Sequence, residues 1–209
     1  MHPIRNMSTQ SNTQVIEEAK LIQQLEQGSE AAFRQLVNQH KDAVYNTCLG
    51  LLHNTHDAED VAQEVFMKVF DSIQDFREEA SLSTWIYRIA VTKSLELIRY
   101  RKRTKRSWFF KALGGIFNEP DKELDESTYM HPGLALENKE RGKVLFSEID
   151  KLTDKQRVAF TLQKVEGMSY QEVAEIMELS LPAVESLIHR AKITLKKNLY
   201  QYYQQNELN

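Results

Sequence analysis

The sequence predicts an all-α fold of two small helical domains joined by a linker. Apolar residues recur at helical spacing through most of the 209 residues, and no segment shows the sustained alternation of a half-buried strand. Only four prolines and seven glycines interrupt this pattern. Because 41% of the residues are hydrophobic, the chain can bury a core, and its length suits one or two small domains.

The N-terminal part is predicted to begin with a flexible polar tail over residues 1–14. A short amphipathic helix follows from Val15 to Glu26, and Ser29 is placed as the N-cap of a longer one. That longer helix carries the single cysteine, Cys48, which we interpret as a small buried residue. One cysteine suits a reducing cytoplasm, and the chain shows neither a signal pattern nor an apolar run approaching 18 residues. We therefore expect a cytoplasmic protein without membrane insertion.

An acidic amphipathic helix is predicted next, with Asp57 as its first residue after a turn over 54–56. One side is apolar, and the other presents Asp57, Glu59, Asp60, Gln63 and Glu64. These side chains could form a metal or catalytic site, a solvated face or a docking surface. Di-metal helical bundles use inward Glu-x-x-His motifs, which are missing here. His53 and His56 lack the further ligands of a structural zinc site. We therefore expect no metal and no cofactor.

A polar loop over 76–84 leads into a helix from about Ser83 that ends in a strongly basic segment. Six of the eight residues from Arg99 to Arg106 are basic, although the formal net charge of the chain is −3. Trp85 and Tyr87 stand just upstream. Aromatic rings interleaved with cations are typical of surfaces that hold single-stranded DNA. The alternative for Trp85 is a core position, because tryptophan is highly buried on average.

Residues 107–137 are predicted to be the interdomain linker, because acids, glycines and prolines accumulate there. The stretch 119–126 is especially acidic. An aromatic patch over 108–117 is unusual for a linker, and a short helix packed on a partner is the other interpretation. Helices are expected to return from about Leu134.

Two capping boxes are predicted in the C-terminal part. Thr153 with Gln156 opens a supporting helix, for which Gly167 is placed as the C-cap. Ser169 with Glu172 has the S-x-x-E spacing and opens a short helix that ends near residue 177.

A second, longer helix follows after three residues. Ser180 is its candidate N-cap, and Pro182 fits a first turn, where no helical N–H is needed. A short helix, a tight turn and a helix with one polar face predict a helix-turn-helix, whose second helix lies in the DNA major groove. An ordinary helical hairpin is the alternative. The outward face argues against it, because its side chains can donate to phosphates or base edges: Ser186, His189, Arg190 and Lys192.

These segments together resemble the sigma-70 family of bacterial transcription initiation factors, in its short extracytoplasmic-function (ECF) group. Three motifs carry the resemblance: D-A-E-D-V-A-Q-E-V-F-M-K-V-F from Asp57, F-R-E-E-A-S-L-S-T-W-I-Y-R-I-A from Phe76, and M-S-Y-Q-E-V-A-E-I-M-E-L-S-L-P-A-V-E-S-L-I-H-R-A-K from Met168. Their order and spacing are highly specific, and the resemblance covers roughly residues 18–106 and 137–200.

The resemblance implies a role for each segment. Residues 15–106 would be sigma domain 2 and residues 138–203 sigma domain 4, with the linker directed toward the polymerase active-site cleft. Contacts with the clamp helices of the polymerase β′ subunit are implied for Asp60, Gln63 and Glu64. Contacts with the −10 element are implied for Phe76, Ser83, Trp85, Tyr87, Arg88, Lys93, Arg99, Arg101 and Arg103. Contacts with the −35 element are implied for Ser186, His189, Arg190 and Lys192.

The implied partners are core RNA polymerase, through its β′ and β subunits, promoter DNA and an anti-sigma factor. We expect no enzymatic activity, because the sequence has no nucleophile–base pair, glycine-rich phosphate loop or metal set. The alternative is a helix-turn-helix regulator that binds duplex DNA independently of core polymerase and uses residues 15–106 for sensing or dimerisation. The aromatic and basic helix favours the sigma factor, since a sensing domain does not need it.

Four positions depart from the family pattern. Thr92 stands where asparagine is frequent and Glu96 where aspartate is frequent. In the second helix of the helix-turn-helix, Glu185 and Leu187 stand where lysine or arginine is frequent. A glutamate would repel phosphates, but it can accept a hydrogen bond from cytosine N4. The −35 sequence therefore stays open.

Overall fold

The computed structural model describes residues 7–113 and 139–206. All regular structure in these ranges is helical, which confirms the all-α prediction. The helices are α1 (Met7–Glu26), α2 (Glu30–Leu52), α3 (Thr55–Ser72), α4 (Leu82–Leu113), α5 (Lys139–Ile149), α6 (Asp154–Phe160), α7 (Tyr170–Met177) and α8 (Leu181–Asn206). A 3₁₀ turn spans Ile73–Asp75, and a π turn spans Thr161–Val165. None of these helices has the length and apolar character needed to cross a membrane.

The first unit, α1–α4, packs around one hydrophobic core. Ser29 caps α2 as predicted, because its side chain accepts a hydrogen bond from the backbone N–H of Ala32. The core includes fully buried side chains from three helices, among them Leu36, Val65 and Ile86. Glu18 of α1 accepts a hydrogen bond from the backbone N–H of Leu82 at 2.6 Å. A carboxylate at this position satisfies a free helical N–H and favours the start of α4.

The second unit, α5–α8, depends on local caps because two of its helices are short. Thr153 and Ser169 open α6 and α7 with the two predicted capping boxes, and both reciprocal hydrogen bonds form in each box. Gly167 has φ +74°, in the left-handed region that glycine adopts most easily, and it lies just beyond the π turn. The helix-turn-helix prediction is thereby matched: α7 ends at residue 177 and α8 begins at residue 181.

The two units lie in direct contact, which the sequence did not predict. Leu51, on α2 of the first unit, is fully buried within a cluster of the second unit that includes Val158, Leu162 and Val173. Three half-buried side chains of α4 pack against the same cluster: Tyr87, Val91 and Leu95. The second unit therefore completes part of its core with residues of the first.

Three helix ends differ from the predictions. Helix α1 begins at Met7, since residues 7–14 include no glycine or proline to stop it. Helix α3 begins at Thr55 because Asn54 is its N-cap and accepts from the backbone N–H of Asp57. Helix α4 continues into the predicted linker as far as residue 113. The rest of the 108–117 patch and the 119–126 stretch lie outside the described residues.

Candidate functional site

The acidic side of α3 is exposed, as a docking surface requires. Asp60, Gln63 and Glu64 all point away from the core, while Val61 and Val65 on the opposite side are buried. The side chains of Asp60 and Glu64 are 65% and 57% exposed. The structure therefore brings the three predicted residues onto one accessible face.

The loop before α4 ends beside an aromatic pair. The rings of Phe76 and Trp85 have centroids 5.1 Å apart at 45°, and both side chains are half-buried against the first core. The Ser81 hydroxyl accepts a hydrogen bond from the backbone N–H of Thr84, and α4 starts at Leu82, one residue before the predicted Ser83. Trp85 packs against the core and is also partly exposed. A core position and a place on a DNA-binding surface are therefore compatible for this residue.

The predicted strand-binding cations of α4 face carboxylates from both units. Two pairs lie within the first unit: Lys93 with Glu64, at 3.3 Å, and Arg101 with Asp57. The second of these is bidentate, a geometry that strengthens an arginine–carboxylate pair. Arg103 is exposed farther along the same helix.

The other cations of α4 reach the second unit. Arg88 contacts the Glu178 carboxylate at 2.9 Å, and Arg99 contacts Asp154 at the same distance. Tyr87 immediately precedes Arg88 in sequence and packs on the second unit. Burial raises the pKa of the Tyr87 hydroxyl, and the charges of Glu166 and Glu172 raise it further. The structure therefore places predicted −10 residues inside the contact between the units.

The helix-turn-helix presents a polar recognition face. Glu178 ends α7 with φ 54°, and the backbone N–H of Leu179 donates to the carbonyl of Ala174. In α8, His189, Arg190 and Lys192 are exposed and Ser186 is half-buried, while Val184, Ile188 and Ala191 are buried. The four predicted residues therefore share the outward side of the helix.

The two residues of α8 that depart from the family pattern, Glu185 and Leu187, differ in exposure. Glu185 is exposed on the outer side of the helix. Leu187 is half-buried and packs against the second unit's cluster, so its apolar side chain contributes to the fold.

Sequence reasoning missed the residues that join the units. A side-chain Cβ built on Gly50 would lie 2.9 Å from the Cγ2 of Thr161, which is too close for a real contact. The ring of His53 lies 2.9 Å from the Gly50 carbonyl oxygen and 3.1 Å from the Asp150 carboxylate. A glycine inside a helix was an available signal, because it costs about 1 kcal/mol relative to alanine and so points to a packing reason for its presence.

No metal site forms in the part of the chain that the structure describes, where no group of three or more potential His, Cys, Asp or Glu ligands assembles. His53 and His56, which the sequence analysis considered as a pair of zinc ligands, have different carboxylate neighbours. His53 lies beside Asp150 and His56 beside Asp60.

Comparison with known proteins identifies the family. The profile of sigma-70 region 2 matches residues 36–104, and that of sigma-70 region 4 matches residues 144–195. The ECF RNA polymerase sigma factor SigW of Bacillus subtilis is 30% identical over 195 residues, which cover 86% of this chain and 95% of SigW. The chain belongs to the sigma-70 family. Its relatives place this sigma factor in the ECF group, as the resemblance implied.

Further relatives agree in extent and fold. The ECF sigma-E factor of Escherichia coli K12 is 31% identical, and the alignment covers 89% of this sigma factor and 93% of the relative. A structure of CnrH with the cytosolic domain of CnrY superposes with a TM-score of 0.59 at 23% identity, covering 88% of this chain and 97% of that one. The sigma factor RpoE of Bartonella quintana, solved with the anti-sigma factor NepR, gives a TM-score of 0.54 at 23% identity and covers 80% and 96%.

Proposed function

We propose that this sigma factor binds core RNA polymerase and directs promoter recognition, −10 melting and transcription initiation. The observation that carries the proposal is the combination, in one chain of this family, of a helix-turn-helix face on the second unit with rings and cations on the first. Under this proposal the chain has no catalytic activity of its own and needs no cofactor. It acts in the cytoplasm, together with the polymerase.

The acidic face of α3 is the proposed polymerase contact. Asp60, Gln63 and Glu64 would bind the clamp helices of the β′ subunit through charge and hydrogen-bond complementarity, which sets specificity and the association rate. The buried Val61 and Val65 fix the orientation of this face relative to the first core. The polymerase therefore meets a rigid helix whose position is set before binding.

The first unit is the proposed site of −10 melting. Phe76 and Trp85 offer rings for unstacked bases, and stacking on a ring is worth about 1–3 kcal/mol per base. That gain offsets the few kcal/mol needed to extrude a base from the duplex. The remaining proposed contacts hold the strand through hydroxyl groups and cations: Ser83, Tyr87, Arg88, Lys93, Arg99, Arg101 and Arg103.

The second unit is the proposed reader of the −35 element. The outward face of α8 would enter the major groove, where Arg190 can donate two hydrogen bonds to guanine and Ser186 can contact several bases. His189 and Lys192 lie on the same side and suit base-edge or phosphate contacts. Binding at −35 fixes the position of the polymerase, while the first unit opens the duplex downstream.

An anti-sigma factor is a further proposed partner. Two structures of similar fold were solved with a partner: CnrH with the cytosolic domain of CnrY, and RpoE with the anti-sigma factor NepR. We extend this type of interaction to the present chain on the basis of the shared fold. The regulator alternative is not supported, because the relatives that match nearly the whole chain are sigma factors.

Run-off transcription tests the proposed function directly. Core polymerase is incubated with fragments of the source genome, with and without this protein. We expect specific transcripts only when the protein is added, and their start sites give both promoter elements. Silent core polymerase in both reactions, with the protein still shifting duplex DNA, would instead establish an independent regulator.

A further inference from the structure

Charged side chains are unevenly distributed along α8. The first two turns of the helix carry only one, Glu185, at the fifth position. The lysines and arginines come after it, at Arg190, Lys192, Lys196 and Lys197. In a helix-turn-helix the N-terminal residues of the second helix contact base edges. An anionic side chain therefore lies in the part of α8 that reads bases, and the cations lie beyond it.

Glu185 shares the outward side of α8 with the proposed −35 contacts. Its side chain is exposed, as is that of His189 one turn farther on. Residues four apart are neighbours on a helix surface, so Glu185 and His189 form one row. Ser186 and Arg190 form the adjacent row. Both rows face away from the buried side of the helix, so the carboxylate belongs to the surface that is proposed to enter the major groove.

Local interactions in the fold do not account for a carboxylate at this position. The side chain of Glu185 makes no hydrogen bond or ion pair with the residues that the structure describes. Acids interact favourably with a helix dipole in the first turn, and the first turn of α8 contains none. The residues three and four positions away on the helix include no lysine or arginine. Because phosphates repel the carboxylate, a favourable DNA contact has to come from a base edge.

The chemistry of the major groove selects the base. A carboxylate only accepts hydrogen bonds, and the donors in this groove are the amino groups of cytosine and adenine. Adenine presents its N7 acceptor beside the amino group, and that acceptor repels a second anionic acceptor. Cytosine presents its N4 amino group alone. Guanine presents two acceptors, and thymine an acceptor and a methyl group. Cytosine is therefore the base whose edge matches an unpaired carboxylate.

We propose that Glu185 is a specificity-determining residue, whose carboxylate accepts a hydrogen bond from the N4 amino group of a cytosine in the −35 element. This inference rests on the proposed function, because it requires that α8 reads −35. It adds that the element holds a C·G pair opposite Glu185, with the cytosine on either strand. A lysine at the same position would instead favour guanine, through O6 and N7.

Glu185 contributes to the choice between sequences more than to affinity. Opposite any other base, the carboxylate loses its hydrogen bond and still carries the cost of leaving water, so the wrong sequence is penalised. Attraction to phosphates does not depend on sequence, and Arg190 and Lys192 can supply it. The cations therefore hold the duplex, while the carboxylate discriminates among duplexes.

A set of promoters with single base changes tests this assignment. The start sites from the run-off experiment define a promoter, and each −35 base pair of it is replaced in turn by the other three. Competition binding then measures the affinity of the holoenzyme, core polymerase with this sigma factor, for each duplex. We expect the wild type to prefer cytosine at one position by at least about fivefold. At that position alone, Glu185→Gln should shift the preference to adenine and Glu185→Lys should shift it to guanine.

Glu175→Gln is the matched control for the change in charge. It removes one negative charge from an exposed side chain of α7, whose partner is Gln171, and should leave the preference at every position unchanged. Retained selectivity at the other −35 positions shows that each Glu185 variant is folded. The wild-type preference at every position in both variants would overturn the proposal, and so would a shift that starts from a base other than cytosine.

Failure of the proposed function gives a different result. In that case the wild-type protein does not activate core polymerase on any genome fragment, and no promoter is obtained. If only the role of Glu185 is wrong, the holoenzyme is active and its −35 preference does not depend on this residue.

A modified base tests the hydrogen bond itself. Pyrimidin-2-one in place of the preferred cytosine removes the amino group, and any weakening of the base pair affects all proteins alike. The wild-type holoenzyme should lose at least about fivefold more affinity than Glu185→Ala, in which the acceptor is already absent. This double comparison isolates the interaction between the carboxylate and the amino group. Equal losses for the two proteins would contradict the contact.

Discussion

The two units of this sigma factor complete their cores in different ways. The α1–α4 unit uses long helices and encloses a single core with its own side chains. The α5–α8 unit divides its apolar side chains between two clusters, and one of them includes Leu51 and packs against Tyr87 of the first unit. The first unit is therefore self-sufficient, while the second depends on its partner for part of its burial.

Helix length explains this difference. Helices α6 and α7 have seven and eight residues, shorter than the length at which isolated helices are even marginally stable. They form because each begins with a complete capping box and because their apolar sides are buried in a shared cluster. The second unit can separate from the first only if its capping boxes and the apolar contacts among its own helices keep it folded.

Matched leucine truncations on α2 should give the largest difference between the two units. Leu36→Ala should lower the free energy of unfolding of the first unit by about 2–5 kcal/mol, because this fully buried leucine lies in that unit's core. Leu51→Ala lies on the same helix but empties space in the second unit's cluster. Hydrogen exchange should therefore rise in α1–α4 for the first variant and in α6–α8 for the second. Identical exchange patterns would show that the cores are not divided in this way.

Arg190→Ala tests the proposed −35 contact of the second unit. If Arg190 makes a bidentate base contact, its loss should weaken −35 binding by about 1–3 kcal/mol. Footprinting of the polymerase complex should show reduced protection at −35 and unchanged strand opening at −10. Lys196→Ala, exposed farther along α8, is the control. Unchanged protection over −35 would rule out this role.

Asp60→Lys tests the corresponding surface of the first unit. Charge reversal should weaken binding of core polymerase about tenfold, or roughly 1.4 kcal/mol, because like charges then meet across the contact. The fold should be unaffected, since the side chain is 65% exposed. Asp71→Lys on the same helix is the control, and circular dichroism checks the fold. Normal co-purification of core polymerase with Asp60→Lys would exclude Asp60 from the docking surface.

The same contrast explains which features could be predicted from the sequence. Capping boxes are local, so Ser169 with Glu172 and Thr153 with Gln156 were predicted correctly. The contact between the units joins residues far apart in the chain, such as Arg88 and Glu178, and no spacing rule connects them. Gly50 lies inside a helix, where a glycine can mark close packing, but nothing in the sequence identifies the residue that it packs against. The left-handed conformation of Glu178 had no signal either, because glycine is the usual residue there.

Ser169→Ala tests whether caps hold the second unit together. The hydroxyl accepts from the backbone N–H of Glu172, and loss of an N-cap typically costs about 1 kcal/mol. Urea denaturation followed by hydrogen exchange should locate this loss in α7 and α8. Ser147→Ala is the matched control, because its hydroxyl donates to the Val144 carbonyl within α5 and caps no helix. A loss spread equally over α1–α4 would show that the units unfold as one.

Acid should weaken the capping box of Ser169 and Glu172, and we expect this effect on stability to be the smallest of the five predicted here. Hydrogen bonds from the Ser169 hydroxyl and from its backbone N–H hold the pKa of Glu172 below its ordinary value of 4.5. Because the pKa is lower in the folded state, this stabilisation is fully present above about pH 4.5 and is lost as pH falls through the lowered value. The carboxylate is exposed, so solvent screens much of the effect.

Glu172→Gln isolates this contribution. The amide oxygen still accepts from the backbone of Ser169, so stability near pH 7 should change little, while the decrease between pH 5 and pH 3 should become shallower. Melting of the second unit, followed across this range, measures both quantities. Asp154 also titrates in acid with a lowered pKa and pairs with α4, so the Asp154→Asn variant serves as the comparison. If the acid sensitivity of Glu172→Gln equals that of the wild type, the cap does not titrate, and acid acts on the second unit through the Asp154 contact instead.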